Sequence, residues 1–179
     1  MKRRNFIGLS TLAVSLAKVR GAESGGKAVL SFGLITDVQY ADVEPEGERH
    51  YRESIPKLKT AVEWLATRKL PFTLHLGDLI DRDFKSFATV LPLFDGLGHP
   101  AHHLLGNHDY SVKEGEKGGV VRVAGMPREY YQFVHSGVRF VMLDTNDLSL
   151  LISSLNRACS SSVSSSGLTP YIFAPSYHA

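Results

Sequence analysis

Three short polar motifs, each following an apolar run, contain residue types that bind divalent cations. They are Asp37-Val38-Gln39, Gly77-Asp78 and Gly106-Asn107-His108-Asp109. Carboxylate, amide and imidazole groups are the ligands that hard or borderline divalent ions require. A glycine before a ligand lets the backbone turn sharply out of a strand and approach a metal or a phosphate closely. The three motifs together predict a metal site.

Each motif has another interpretation when it is taken alone. An aspartate after a strand is commonly a helix cap, and Gly-Asn-His-Asp can form a type I turn. The metal-site prediction therefore depends on finding all three motifs in succession along the chain.

The apolar pattern predicts elements that bring these motifs together. A continuous apolar run at 28–36 predicts a strand buried on both faces, a short apolar stretch at 71–76 predicts a second strand, and residues 102–105 are expected to form a third. Apolar residues at helical spacing predict helices over 51–69 and 84–94, and two further strands are expected at 130–134 and 138–143. Alternating strands and helices favour an α/β sheet with right-handed crossovers, in which the carboxyl ends of the strands hold the active site.

The three motifs resemble the calcineurin-like metallophosphoesterase superfamily, over about residues 28–148. Segments at 35–42, 61–64, 74–81 and 140–148 are similar to its manganese-dependent ADP-ribose/CDP-alcohol diphosphatase branch. The resemblance implies a β-sandwich flanked by helices in αββα layers. It also implies hydrolysis of phosphodiester or pyrophosphate bonds in a small phosphorylated or nucleotide-like substrate, through a hydroxide activated by two metals.

The same resemblance implies roles for individual residues. Asp37 and Gln39 would ligate the first metal, Asp78 would bridge both metals, and Asn107 would ligate the second. His108 would contact the phosphoryl oxygen or protonate the leaving group, with Asp109 orienting it. The implied cofactors are two divalent ions, manganese foremost, with iron, zinc or magnesium as alternatives.

The sequence departs from the family pattern after these motifs. The family continues with a further metal-binding histidine and a Gly-His-x-His turn, whereas the histidines that follow His108 here are His135 and His178. We therefore expect a C-terminally incomplete domain whose metal sites are open to solvent and bind metal weakly. The alternative is a non-catalytic remnant with an incomplete metal site.

The first 21 residues have the organisation of an export signal. Lys2, Arg3 and Arg4 precede an uncharged run at 9–17, which is shorter than the roughly 20 residues that span a bilayer. Arg3-Arg4 before an apolar pair resembles the twin-arginine motif. The segment predicts the twin-arginine machinery as a partner, a periplasmic or extracellular location and no stable membrane anchor. An amphipathic or disordered terminus is the alternative.

The composition changes after residue 148. Residues 149–179 include ten serines, and Arg157 is the only Asp, Glu, Lys or Arg among them. Such a segment is expected to be poorly ordered. We hypothesise that it is frameshifted or otherwise aberrant, which a family-like continuation in another downstream reading frame would support.

The charge balance depends on the N-terminal segment. The chain has 20 basic and 18 acidic residues, but five of the basic ones lie in the first 21 positions, so 15 basic residues remain against 18 acidic. The apparent basicity therefore does not indicate a nucleic-acid partner. A single cysteine, Cys159, excludes an intrachain disulfide and a zinc site of clustered cysteines. The sequence makes no prediction of oligomeric state.

Overall fold

The computed structural model describes residues 12–20, 28–144, 146 and 170–173. The strands are β1 (Ala13–Arg20), β2 (Ala28–Thr36), β3 (Thr73–Leu76), β4 (Ala101–Leu104), β5 (Tyr131–His135), β6 (Val138–Met142) and β7 (Pro170–Phe173). The α-helices are α1 (Ser54–Ala66), α2 (Ser86–Val90), α3 (Glu114–Lys117) and α4 (Val120–Val123). Short 3-10 helices cover Tyr51–Glu53, Leu91–Leu97 and His108–Tyr110.

The first sheet has the strand order β1-β2-β3-β4. Strands β2, β3 and β4 are parallel, and β1 is antiparallel to β2. Gly33 lies opposite Thr73, and Thr73 lies opposite Ala101. This register places the carboxyl ends of the three parallel strands at one edge of the sheet, so the residues that follow them can meet there.

Side chains alternate across a strand, so each face of this sheet carries its own set of side chains. Both faces are covered by other elements of the fold. On one face, α1 packs with Leu58, Val62 and Leu65, which recur at helical spacing and are buried in the same core cluster as Ile35 of β2. Trp64 points away from that face and is 37% exposed. The helical spacing of the apolar residues therefore predicts the contact face of α1 correctly.

The other face packs against a second sheet, of order β5-β6-β7. Phe32 of β2 and Phe72, which directly precedes β3, lie with Phe140 of β6 in a second core cluster. The centroids of the Phe72 and Phe140 rings are 5.0 Å apart and the rings meet edge to face. Aromatic pairs prefer this arrangement. The described residues thus form a layer of helices, a mixed sheet and a second sheet, which confirms the predicted α/β sandwich.

Two segments that the sequence set apart from the domain contribute strands. β1 falls inside residues 1–21, the predicted export signal, and pairs with β2 along its whole length. β7 lies in the serine-rich tail and is parallel to β6. The apolar and aromatic residues at 171–173 favour a strand, and the expectation of a poorly ordered tail stays a prediction. The rest of the tail lies outside the described residues.

The polar stretch 113–119 contains the exposed single-turn helix α3. Its first turn carries Glu114 and Glu116 and its last turn Lys117, a charge order that complements the helix dipole. In the part of the chain that the structure describes, every helix is too short or too polar to cross a membrane.

Candidate metal centre

The loops that follow β2 and β3 are joined by backbone hydrogen bonds. The amide of Asp37 donates to the Gly77 carbonyl over 3.2 Å, and the amide of Gln39 donates to the Asp78 carbonyl over 2.8 Å. A further bridge pairs Tyr40 with Ile80. These bonds fix the first two predicted ligand motifs side by side at the edge of the sheet.

Three of the predicted ligands have a left-handed backbone conformation, which residues other than glycine rarely adopt. The φ angles are 59° at Asp37, 46° at Gln39 and 59° at Asp78. Left-handed backbone at residues other than glycine is uncommon and costs roughly 1 kcal/mol or more for each residue. It persists where the surroundings impose it, and such positions cluster at functional sites. Here all three lie within three residues of the end of β2 or β3.

The third loop approaches the second so closely that both require glycine. A Cβ on Gly77 would lie 2.8 Å from the Gly106 amide nitrogen, and φ at Gly77 is +98°. A Cβ on Gly106 would lie 2.7 Å from the Asp78 amide nitrogen and would also collide with the Asp78 carboxylate. The two glycines therefore allow the carboxylate and the Gly106–Asp109 loop to occupy adjacent space.

Asp78 is the common neighbour of the predicted site residues. Its side chain is 9% exposed, and the His108 amide donates to Oδ1 over 3.0 Å. The pKa of Asp78 is raised, mainly by burial and further by the negative charge of Asp37. Hydrogen bonds from the His108 amide and the Gln39 side chain act in the opposite direction and lower the pKa. Asp37, Gln39 and His108 therefore all act on one buried carboxylate.

The donor set fits a hard divalent cation. Two carboxylates, Asp37 and Asp78, are held near each other, and the side-chain amide of Gln39 joins them. Asn107 lies on the adjoining loop and is exposed. Oxygen donors of this kind suit manganese or magnesium, and solvent can fill the remaining coordination positions. Within the described ranges, no group of three or more His, Cys, Asp or Glu side chains is arranged to hold a metal.

His108 faces a carboxylate that the sequence analysis did not assign. Its Nδ1 lies 3.3 Å from Oδ1 of Asp81, in ion-pair range but outside the alignment of a regular hydrogen bond. The Asp81 carboxylate raises the pKa of His108, while burial opposes this. Burial of Asp81 would raise the pKa of that carboxyl, but the interaction with His108 acts in the opposite direction, and the pKa of Asp81 is lowered. The sequence feature that could have indicated this contact is a second aspartate in the loop that carries Asp78.

Asp109 has a different position from the one that the resemblance implied. Its side chain is fully buried, and its two oxygens accept four backbone hydrogen bonds of 2.8 to 3.1 Å, from the amides of Asp78, Leu79, Ile80 and Gly106. Burial raises the pKa of Asp109, and the hydrogen bonds from the amides oppose that rise. The carboxylate ties the two loops together, whereas the group facing His108 is Asp81.

Two arginines, Arg49 and Arg82, lie close to the Asp81 carboxylate. Arg82 bonds Glu46 through both terminal nitrogens and the Tyr51 hydroxyl through Nη2. Arg49 reaches to 3.8 Å from Oδ2 of Asp81, with 55% of its side chain exposed. An exposed guanidinium next to the site offers planar hydrogen-bond donors to phosphate oxygens.

The two later histidines of the sequence do not join the centre within the described chain. His135 ends β5, and its ring lies 5.4 Å from that of Phe72, between the sheets. His178 lies outside the described residues. The structure therefore brings Asp37, Gln39 and Asp78 to one sheet edge beside the loop of Asn107 and His108.

Comparison with known proteins gives consistent similarities. A family model described as calcineurin-like phosphoesterase matches residues 30–157, ending beyond the boundary at 148 that the sequence suggested. The chain is 37% identical over 147 residues to the manganese-dependent ADP-ribose/CDP-alcohol diphosphatase of Oryza sativa subsp. japonica, covering 72% of this chain and 44% of the relative. It is 34% identical over 155 residues to the protein of that name from Homo sapiens, covering 69% and 45%.

A solved structure is also similar. A dimetal phosphatase from Danio rerio aligns with a TM-score of 0.54 and 29% sequence identity, covering 64% of this chain and 44% of that one. The chain thus spans less than half the length of the curated relatives it matches.

Proposed function

The chain belongs to the calcineurin-like phosphoesterase family, and on that premise we propose that it hydrolyses a phosphodiester or pyrophosphate bond in a nucleotide-like small molecule. The proposal includes two divalent cations, manganese foremost. The observation that carries it is the convergence of three strand-end loops on the buried Asp78 carboxylate, with Asp37, Gln39 and His108 as its neighbours.

In this proposal the chain's own residues hold and orient the reacting groups. Asp37, Gln39 and Asp78 would hold the first cation, and Asn107 would hold the second through its amide oxygen, with Asp78 shared between the two. Two bound cations would neutralise phosphate charge and lower the pKa of the attacking water. A carboxylate shared between two cations would reduce their mutual repulsion.

His108 is the proposed general acid. Asp81 lies beside Nδ1 and raises the pKa of the imidazole, so the ring carries a proton over a wider pH range than an isolated histidine. Because Nδ1 faces Asp81, Nε2 remains for the substrate and donates the proton to the oxygen of the leaving group. Asp81 acts here as a positioning residue.

The names of the relatives suggest the substrate class. Two of them are called ADP-ribose/CDP-alcohol diphosphatases, and we propose a diphosphate bond between a nucleoside and a second group as the bond cleaved here. The exposed Arg49 guanidinium next to Asp81 would contact the phosphate that is not attacked.

Asp78→Asn tests the proposed metal chemistry. We expect the wild-type chain to hydrolyse ADP-ribose, and bis(p-nitrophenyl) phosphate as a generic probe, only when manganese is added. The substitution should reduce that rate by at least about 100-fold, because it removes the charge of the bridging ligand. Asp95→Asn, at an exposed position, is the matched control and should keep the wild-type rate. A full manganese-dependent rate in Asp78→Asn would refute the bridging assignment.

A non-catalytic remnant is the competing proposal. It is favoured by the absence, among the described residues, of three or more clustered His, Cys, Asp or Glu ligands. The remnant predicts no manganese-dependent rate with either substrate at any metal concentration. Manganese binding measured by calorimetry in the same samples would show whether half of the metal site is retained without turnover.

We further propose that the chain is exported through the twin-arginine pathway to the periplasm or beyond. The support is the Arg3-Arg4 pair ahead of an uncharged run in residues 1–21. Replacing both arginines with lysine keeps the charge and should retain the protein in the cytoplasm, as cell fractionation would show. Equal export of the variant would contradict the proposal.

A further inference from the structure

The Gly106–Asp109 loop is held from the second sheet as well as from the first. Asp109 fastens it to the Asp78 loop, as described above. Two residues that follow β6, Asp144 and Asn146, make additional hydrogen bonds to the residues on either side of the loop. These bonds cross from one sheet to the other at the edge where the predicted metal ligands lie.

The bonds attach to both ends of the loop. After the loop, the Tyr110 hydroxyl donates to Oδ2 of Asp144 over 2.8 Å. Before the loop, Nδ2 of Asn146 donates to the Leu105 carbonyl over 3.1 Å. All of these side chains are partly buried, where hydrogen bonds are less exposed to competition from water.

The two anchoring residues are also bonded to each other. The Asn146 amide nitrogen donates to Oδ1 of Asp144 over 2.9 Å, and Nδ2 donates to the same oxygen over 2.6 Å. The Asp144 carboxylate therefore orients the Asn146 side chain and also accepts the hydrogen bond from the Tyr110 hydroxyl. A loop fixed at both ends by one connected network has little freedom to move relative to the sheet edge.

We propose that Asp144, Asn146 and Tyr110 are positioning residues that set Asn107 and His108 relative to Asp78. This inference rests on the proposed function of the site, because it assigns the network to the second metal position and to the general acid. The relevant geometry is the hydrogen bond from the His108 amide to Oδ1 of Asp78, at 3.0 Å. Displacing the loop would lengthen that bond and move the Asn107 side chain with it.

The chain offers a matched control for this proposal. The Tyr131 hydroxyl also crosses between the sheets and donates over 2.8 Å, but its acceptor is the His103 carbonyl inside β4, away from the loop. Tyr110→Phe and Tyr131→Phe therefore each remove one partly buried hydroxyl with the same bond length. Both substitutions should lower the urea midpoint of unfolding, and Tyr110→Phe should lower it more, because its acceptor is a carboxylate whereas that of Tyr131 is a neutral carbonyl.

The two variants should differ in metal binding. We expect Tyr110→Phe to weaken manganese binding, followed by electron paramagnetic resonance of the free ion, by roughly 10-fold or more, as for other outer-shell partners of metal ligands. Tyr131→Phe should stay within about twofold of wild type, since its bond is remote from the ligands. Asp144→Asn keeps a carbonyl for the Tyr110 hydroxyl and should retain more affinity than Asp144→Ala. Equal affinity in Tyr110→Phe and wild type, or equal losses in both tyrosine variants, would overturn the proposal.

Amide hydrogen exchange without metal separates this proposal from the proposed function. The His108 amide, which bonds Asp78, should exchange faster in Tyr110→Phe than in Tyr131→Phe. If the wild-type chain binds no manganese, the proposed function fails, and exchange at His108 alone decides whether the network holds the loop. Unchanged exchange at His108 in Tyr110→Phe would overturn it.

Discussion

Replacing Asp109 with asparagine is expected to separate the two loops that carry Asp78 and Asn107. The Asp109 carboxylate accepts two amides at each oxygen, those of Leu79 and Ile80 at Oδ1 and those of Asp78 and Gly106 at Oδ2. An asparagine keeps one oxygen and places an NH2 group against the other pair of amides. Two buried N–H donors therefore lose their acceptor.

The size of the effect follows from that count. Each buried donor left unsatisfied costs about 1–3 kcal/mol. The neutral side chain removes part of the cost of burying a charge, which places the expected loss of unfolding free energy at about 2–4 kcal/mol. Among point substitutions this is a large effect, and it belongs to the class in which a buried hydrogen-bond network is broken.

Urea unfolding followed by far-ultraviolet circular dichroism measures the change. Asp95→Asn, at an exposed position, is the control and should stay within about 0.5 kcal/mol of wild type. Amide exchange adds a local measurement, since the amides of Leu79 and Gly106 should exchange faster in Asp109→Asn. A loss below about 1 kcal/mol together with unchanged exchange would refute the assignment of Asp109 as the link between the loops.

Two further predictions concern close packing and acid stability. Gly106→Ala should destabilise the fold and abolish manganese binding, because the added Cβ would collide with the Asp78 carboxylate. Gly118→Ala is the control and should be neutral, since a Cβ there meets nothing within 4 Å. Equal urea midpoints of unfolding in the two variants would contradict the packing argument. Burial, with a smaller contribution from His102, lowers the pKa of His103 from 6.5 to about 4. Between those values the unfolded chain binds the proton more tightly, so stability should fall on acidification through that window by up to about 3 kcal/mol. His103→Gln should flatten this limb in urea titrations at stepped pH, and an unchanged slope would count against the burial of a neutral imidazole.

The sequence predicts the strands of the first sheet and the motifs at their ends because those signals are local. An uninterrupted apolar run identifies a strand covered on both faces, and the polar residue after it identifies the strand end. The helical spacing in α1 likewise identifies its buried residues. The meeting of the three motifs then follows from the rule for parallel strands.

The partners of the site residues are not local in this sense. Asp81 and Asp109 are both aspartates near a predicted ligand, and their separation in sequence does not say which one faces His108. The answer depends on how the Gly106 loop packs on the Gly77 loop, with backbone atoms in near contact.

The pairing of β1 with β2 has a consequence for maturation. Export with cleavage after residue 21 would remove all eight residues of β1 and convert β2 from an interior strand into an edge. An unpaired edge presents backbone N–H and C=O groups and is a template for association with other chains. The leader would then serve the precursor as an intramolecular chaperone, and processing would be the step at which the first sheet needs a replacement neighbour to remain soluble.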